Sequence, residues 1–161
     1  SLTAKAVATA WGVPLLRLDL GALKSKWVGE SEQNIRKALS VAENVAPCVL
    51  WIDEIEKALA GAQSESSGVS ADALGSVLQW MQERTAPVFV VATANSVTSL
   101  PPELLRKGRF DDLFFVDLPT RDERAAILTA ALRGHGQDAA QVDVAKVAAE
   151  TPDFTGAELA R

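Results

Sequence analysis

The sequence has a single cysteine, Cys48, so no disulfide can close within the chain. That cysteine lies inside an apolar run, the setting of a reduced and buried thiol. Long apolar runs are missing: none approaches the ~20 residues that a membrane span requires, and no signal peptide opens the chain. An excess of positive charge is missing too. The 16 Lys and Arg against 21 Asp and Glu leave a formal net charge of −5. That is the reverse of the basic footprint of a broad nucleic-acid-binding face. Histidine occurs once, as His135 in RGHG, an exposed-turn setting that suggests no role. No internal repeat or low-complexity tract is present. Together these absences point to a cytoplasmic protein without a nucleic-acid partner. The initiator Met is also absent. The chain begins on Ser1 and ends on Arg161 inside an apparent helix, the marks of a fragment.

What is present is globular. The hydrophobic fraction of 48% and charged fraction of 23% in 161 residues fit one domain with one core. Ser1 to Trp11 is Ala-rich and stops at Gly12, a helix with its C-terminal signal. LLRLD (15–19) alternates as a strand does. Gly21 to Gly29 is a loop. Ser31 to Ala46 carries Ile35, Leu39 and Ala42 at helical spacing and meets Pro47. CVLWID (48–53) predicts a buried strand, and Ala60 to Ser70 a Gly/Ser/Ala-rich loop. Ala73 to Glu83 predicts a helix with Leu74, Val77, Leu78 and Met81 on one face. VFVVAT (88–93) and FFVDL (114–118) predict two more strands. From about Arg121 only helices are expected. Thr120 with Glu123, and Thr155 with Glu158, have capping-box spacing. Strands alternating with helices predict an α/β fold, a parallel sheet covered on both faces. The helical tail predicts a separate small subdomain.

Four stretches carry candidate chemistry. In CVLWIDEIEK (48–57) an apolar strand ends on adjacent acids, Asp53 and Glu54. The first can hold Mg2+ through its water shell and the second can polarise water. The same pair is also what a helix cap and its first turn look like. VVATAN places Asn95 just after another strand, where a parallel neighbour would bring its amide to the same carboxyl edge. Asn is also a common turn former. LLRKGRFDD (104–112) gathers Arg106, Lys107 and Arg109 around Gly108, a cluster that suits phosphate or a solvated loop. KSKWVGESE (24–32) sets Lys26 and Trp27 in a loop, as a contact residue or a satellite of the core.

WIDE, TAN, GRFD, KWVGESE and FTGAEL stand in the order seen in AAA ATPases of the AAA+ superfamily, and the resemblance covers essentially the whole chain. LPPELLRKGRFDDLFFVDLP and VFVVATAN most resemble the uncharacterised AAA proteins shared by cyanobacteria, chloroplast genomes and other bacteria. The resemblance implies a three-layer P-loop NTPase core over 1–120, without its first strand and Walker A loop, and the start of the helical AAA lid over 121–161. It implies ATP and Mg2+ as cofactors. Asp53 and Glu54 become the Walker B pair, Asn95 the sensor-1 residue that orients the attacking water, and Arg106 and Arg109 arginine fingers acting on a neighbouring subunit. Lys26 and Trp27 become the first pore loop, Gly156 and Ala157 lid residues near the adenine, and Ser1 the Mg2+-binding hydroxyl after the Walker A lysine. No G-x-x-x-x-G-K-[ST] stretch occurs, so that loop is expected just upstream of residue 1. Two positions depart from the pattern. Asp72 stands where relatives often carry a basic residue, and Ala131 where the lid often has a histidine. The implied whole is an ATP-hydrolysing ring motor, a homo-hexamer that remodels or threads a polypeptide. The alternatives are a non-catalytic scaffold of the same fold and the ATPase module of a membrane-bound zinc protease.

Overall fold

The structure, a computed structural model, describes residues 2–20, 30–56, 68–106 and 108–161; for residues 30, 31 and 68–74 it describes the backbone alone. Ser1, the 21–29 loop with Lys26 and Trp27, Lys107 and the side chain of Asp72 therefore lie outside the described residues. The chain divides into two compact units, Ser1–Asp112 and Leu113–Arg161.

The first unit is α/β. Helix α1 (Leu2–Trp11) is followed by strand β1 (Leu15–Leu18), helix α2 (Glu30–Val45), strand β2 (Cys48–Ile52), helix α3 (Gly68–Glu83) and strand β3 (Val88–Ala92). The strands form a parallel sheet in the order β1-β2-β3. Side chains of a strand alternate between its faces, and β2 shows the consequence. Val49 and Trp51 pack on Ala4 and Ala8 of α1, while Cys48, Leu50 and Ile52 join the larger core with α2 and α3. Every residue of β2 is buried, because the strand has a neighbour on each side and helices on both faces. This is the three-layer arrangement expected.

Local signals explain the element ends. Ala4 and Ala8, four apart, let α1 approach the sheet closely. Gly12 terminates the helix with φ +64°. Its N–H donates to Thr9 O and that of Val13 to Ala8 O, a paired closure that a left-handed residue permits. On α2, Ile35, Leu39 and Ala42 line the buried stripe as their spacing predicts. On α3, Val77 and Met81 are buried. That helix begins earlier than expected, so residues 68–70 belong to it rather than to a loop.

Two strand expectations need correction. VFVVAT forms β3 over Val88–Ala92, but it is half-exposed rather than buried, because among the described residues it pairs on one side only. FFVDL forms no strand: Phe114, Phe115 and Val116 are 83%, 86% and 87% exposed, and no ladder among the described residues includes them. An apolar, β-branched composition favours a strand only where another strand satisfies its backbone groups.

The second unit is helical. Helices α4 (Arg121–Gly134), α5 (Val144–Glu150) and α6 (Gly156–Leu159) are joined by turns. Both expected capping boxes are formed. Thr120 accepts from Glu123 N while the Glu123 carboxylate accepts from Thr120 N, and Thr155 and Glu158 do the same for α6. Its buried residues include Ala148, Leu159 and a charged one, Arg124.

Candidate functional site

The sheet register decides which side chains meet. Ile52 and Ala92 are the last paired residues of β2 and β3, so Asp53 and Thr93 leave the sheet side by side at its carboxyl edge. The backbone continues the match one step further. Thr93 N donates to Ile52 O at 3.0 Å, and Ile55 N to Thr93 O at 3.0 Å. The Thr93 hydroxyl then ties the acidic turn down: it donates to Asp53 Oδ1 at 2.6 Å and accepts from Glu54 N at 3.1 Å.

Glu54 sits in the left-handed region, with φ 49°. A non-glycine residue is rarely held there, and such conformations cluster where a side chain must be aimed. The aim is toward Asn95. Its Nδ2 donates to Glu54 Oε1 at 3.3 Å and to Glu56 Oε1 at 3.1 Å, and its backbone N–H donates to Glu56 Oε1 at 3.2 Å. Asn95 is exposed and Glu54 half-buried, while Glu56 is 7% exposed. The structure thus brings three expected residues, Asp53, Glu54 and Asn95, into one hydrogen-bonded group. Two members were not foreseen. Thr93 could have been found as the partner of Asp53 once β2 and β3 were taken as adjacent and in register. Glu56 carries no signal in a sequence beyond being a third acid in IDEIE.

Among the described residues no group of three or more His, Cys, Asp and Glu could hold a metal ion. Mg2+ does not need one, because it is commonly held by one or two carboxylates with water and phosphate oxygens. Asp53 fits that role. It is half-buried at the carboxyl edge of a parallel sheet, where ligands bind, and one oxygen is oriented by Thr93.

Of the other expected site residues, Arg106 and Arg109 lie on the segment after β3, and Gly156 and Ala157 belong to the second unit. Arg106 is exposed after a 3-10 turn, Pro102–Leu105. Gly108, with φ +88°, separates it from Arg109. Arg109 is anchored to α3 through Nη2, which donates to Gln82 Oε1 at 3.1 Å, and its Nε is buried without a partner among the described residues. In the second unit Gly156 and Ala157 form the first turn of α6 behind the Thr155 cap. A Cβ on Gly156 would meet Ile127 Cδ1 at 3.5 Å, an ordinary contact, so packing within the unit does not require glycine there.

Comparison with known proteins bears on these residues. Residues 1–118 match the model of the ATPase family associated with various cellular activities (AAA). Among curated proteins, the chain is 48% identical over 161 residues to "Uncharacterized AAA domain-containing protein ycf46" of Pyropia yezoensis, covering 99% of this chain and 33% of that protein. The protein of the same name from Guillardia theta is 45% identical, and that from Trieres chinensis 47%, each over 99% of this chain and 32% of the relative. The chain spans about a third of the length of these relatives.

Proposed function

The chain belongs to the AAA ATPase family, and from that membership we propose that it is part of an ATP-hydrolysing ring motor that remodels or threads a polypeptide. The observation that carries the reading is the group at the carboxyl edge of the sheet, where Thr93 holds Asp53 and Asn95 contacts Glu54. Bound Mg2+ and triphosphate supply the electrophile and the positive charge that two adjacent carboxylates call for. Asp53 would hold Mg2+ through its water shell. Glu54 accepts a proton from the attacking water, aimed by its left-handed backbone. The Asn95 amide holds that water in line. Arg106 and Arg109 act on nucleotide bound to the adjacent subunit, where an arginine supplied in trans is worth ~10³–10⁵ in rate.

The remaining assignments rest on the family resemblance. Ser1 binds the metal, Gly156 and Ala157 sit near the adenine, and Lys26 with Trp27 grips the polypeptide in the pore of a hexamer. Residues 1–120 are the nucleotide-binding core and 121–161 the beginning of the lid. The reading also requires a phosphate-binding loop, which this sequence does not contain. No described helix is long and apolar enough to cross a membrane.

The test is subunit mixing in the full-length protein. Glu54→Gln and Arg109→Ala should each abolish most ATP turnover. Mixed together they should regain part of it, because some interfaces then combine an intact Glu54 with an intact Arg109. Wild-type turnover in Glu54→Gln alone, or no recovery on mixing, would defeat the corresponding half of the proposal.

A further inference from the structure

Glu56 is a buried carboxylate that the reaction described above does not use. It lies two residues after Glu54, where the chain turns helical beyond β2, and is 7% exposed. Oε1 accepts two hydrogen bonds from one residue, from Asn95 N at 3.2 Å and Asn95 Nδ2 at 3.1 Å. Oε2 is buried and has no partner among the described residues. Burying a carboxylate is costly, and leaving one of its oxygens unpaired makes it more so. A methionine of similar volume would avoid that cost, so stability alone does not account for an acid here.

Asn95 explains what the acid does. It is an exposed residue on the segment between β3 and the 3-10 turn Val97–Ser99, and a free asparagine amide there could rotate or flip. Ionised carboxylates only accept hydrogen bonds. Glu54 and Glu56 both contact the same terminal amide atom, so that atom is the nitrogen, and Oδ1 is left as the acceptor. Glu56 grips the backbone and the side chain together, whereas the amide's contact with Glu54 is single and longer, 3.3 Å. Glu56 therefore sets the orientation in which the Asn95 amide meets Glu54.

We propose that Glu56 is a positioning residue that fixes the Asn95 loop and amide against the acidic turn, so that Glu54 and Asn95 are presented to the attacking water as one unit. This rests on the reading of Glu54 and Asn95 as the groups that handle that water. The experiment is a double-mutant cycle in the full-length protein. Glu56→Met removes both acceptor oxygens while filling the space. It should lower kcat about 10–100-fold, the scale expected of a misplaced catalytic group, with KM for ATP within about twofold. Glu56→Gln keeps an acceptor oxygen and should restore most of kcat. In an Asn95→Ala background Glu56→Met should cause no further loss. The nucleotide-free Glu56→Met protein should melt at or above the wild-type temperature.

Wild-type kcat in Glu56→Met overturns the proposal, as do losses that multiply with those of Asn95→Ala. Unfolding or a lowered melting temperature in Glu56→Met assigns the residue to stability and equally overturns it. Wild-type turnover in both Glu54→Gln and Asn95→Ala is a different failure. It sinks the catalytic reading of that pair, whatever Glu56 does.

Discussion

The two units of the chain treat buried polarity in opposite ways. In Ser1–Asp112 a broad apolar core includes Ile35, Leu39, Ile52 and Leu104. Among the described residues, buried polar atoms without partners include Trp51 Nε1, Glu56 Oε2, Arg84 Nη1 and Arg109 Nε. Burial pushes the Arg84 guanidinium down from its ordinary range, against an opposing pull from Asp111. In Leu113–Arg161 the arrangement is reversed. Arg124, 7% exposed, donates to Ala148 O from Nε at 3.0 Å and Nη2 at 2.9 Å, and from Nη1 to Pro119 O at 2.7 Å and Pro152 O at 3.2 Å. One side chain thereby ties the segment before α4 to α5 and its C-terminal turn. A unit with a large apolar core tolerates a few unpaired polar atoms. A unit with few buried apolar residues holds itself together through satisfied hydrogen bonds.

That contrast makes polar substitutions separable by what they change. The largest effect is expected at Glu54. Glu54→Gln should reduce turnover of the full-length protein by about 10²–10⁴-fold, the usual worth of a positioned general base, with little change in melting temperature. Glu54→Gly should lose turnover as well, but it relieves the left-handed backbone and should not destabilise the fold. Loss of stability in step with activity at Glu54 would erase the distinction between the units.

Arg124 should show the converse. Arg124→Met takes the donors from Ala148 O, on a buried residue, and from Pro119 O and Pro152 O, on half-buried and exposed ones. It should cost about 1–3 kcal/mol in the stability of 113–161, the worth of one buried group left unpaired. Arg124→Lys should recover little, because an ammonium cannot reproduce the planar fork. Denaturation followed by hydrogen exchange in α4 and α5 measures this directly. Protection unchanged in Arg124→Met would show that apolar packing carries the unit after all.

The smallest effects belong to the caps. Thr120→Ala and Thr155→Ala should each cost about 1 kcal/mol. Their pH dependence is more telling. Backbone and side-chain hydrogen bonds from Thr120 hold the Glu123 carboxyl below its ordinary value of 4.5. Hydrogen bonds from the Thr155 side chain and backbone, with a smaller pull from Arg161, do the same for Glu158. A depressed folded pKa means that the stabilisation is complete above 4.5 and is lost as the pH falls through the folded values. Acid titration of the double variant Thr120→Ala, Thr155→Ala should therefore be flatter below pH 4.5 than that of the parent. Parallel curves would remove the caps from the account.

Much of this architecture is written in local pattern. The i, i+4, i+7 spacing of Ile35, Leu39 and Ala42 specifies a helix face, the run CVLWI a buried strand, and T-x-x-E twice a helix start. Each depends on residues close in sequence, so each can be read without knowing the fold. Asp53, Glu54 and Asn95 could be singled out for the same reason, since each lies just past a recognisable strand. What only the tertiary structure decided depends on partners far along the chain. Among the described residues FFVDL, despite the composition of a strand, has no paired neighbour, and VFVVA is half-exposed because it pairs on one side. Thr93 matters because parallel register sets it beside Asp53, 40 residues away. Glu56 reaches Asn95 across 39 residues, and Arg124 reaches Ala148 across 24. Hydrogen bonding and burial are properties of pairs, and which pairs form is settled only when the sheet and the helices close on one another.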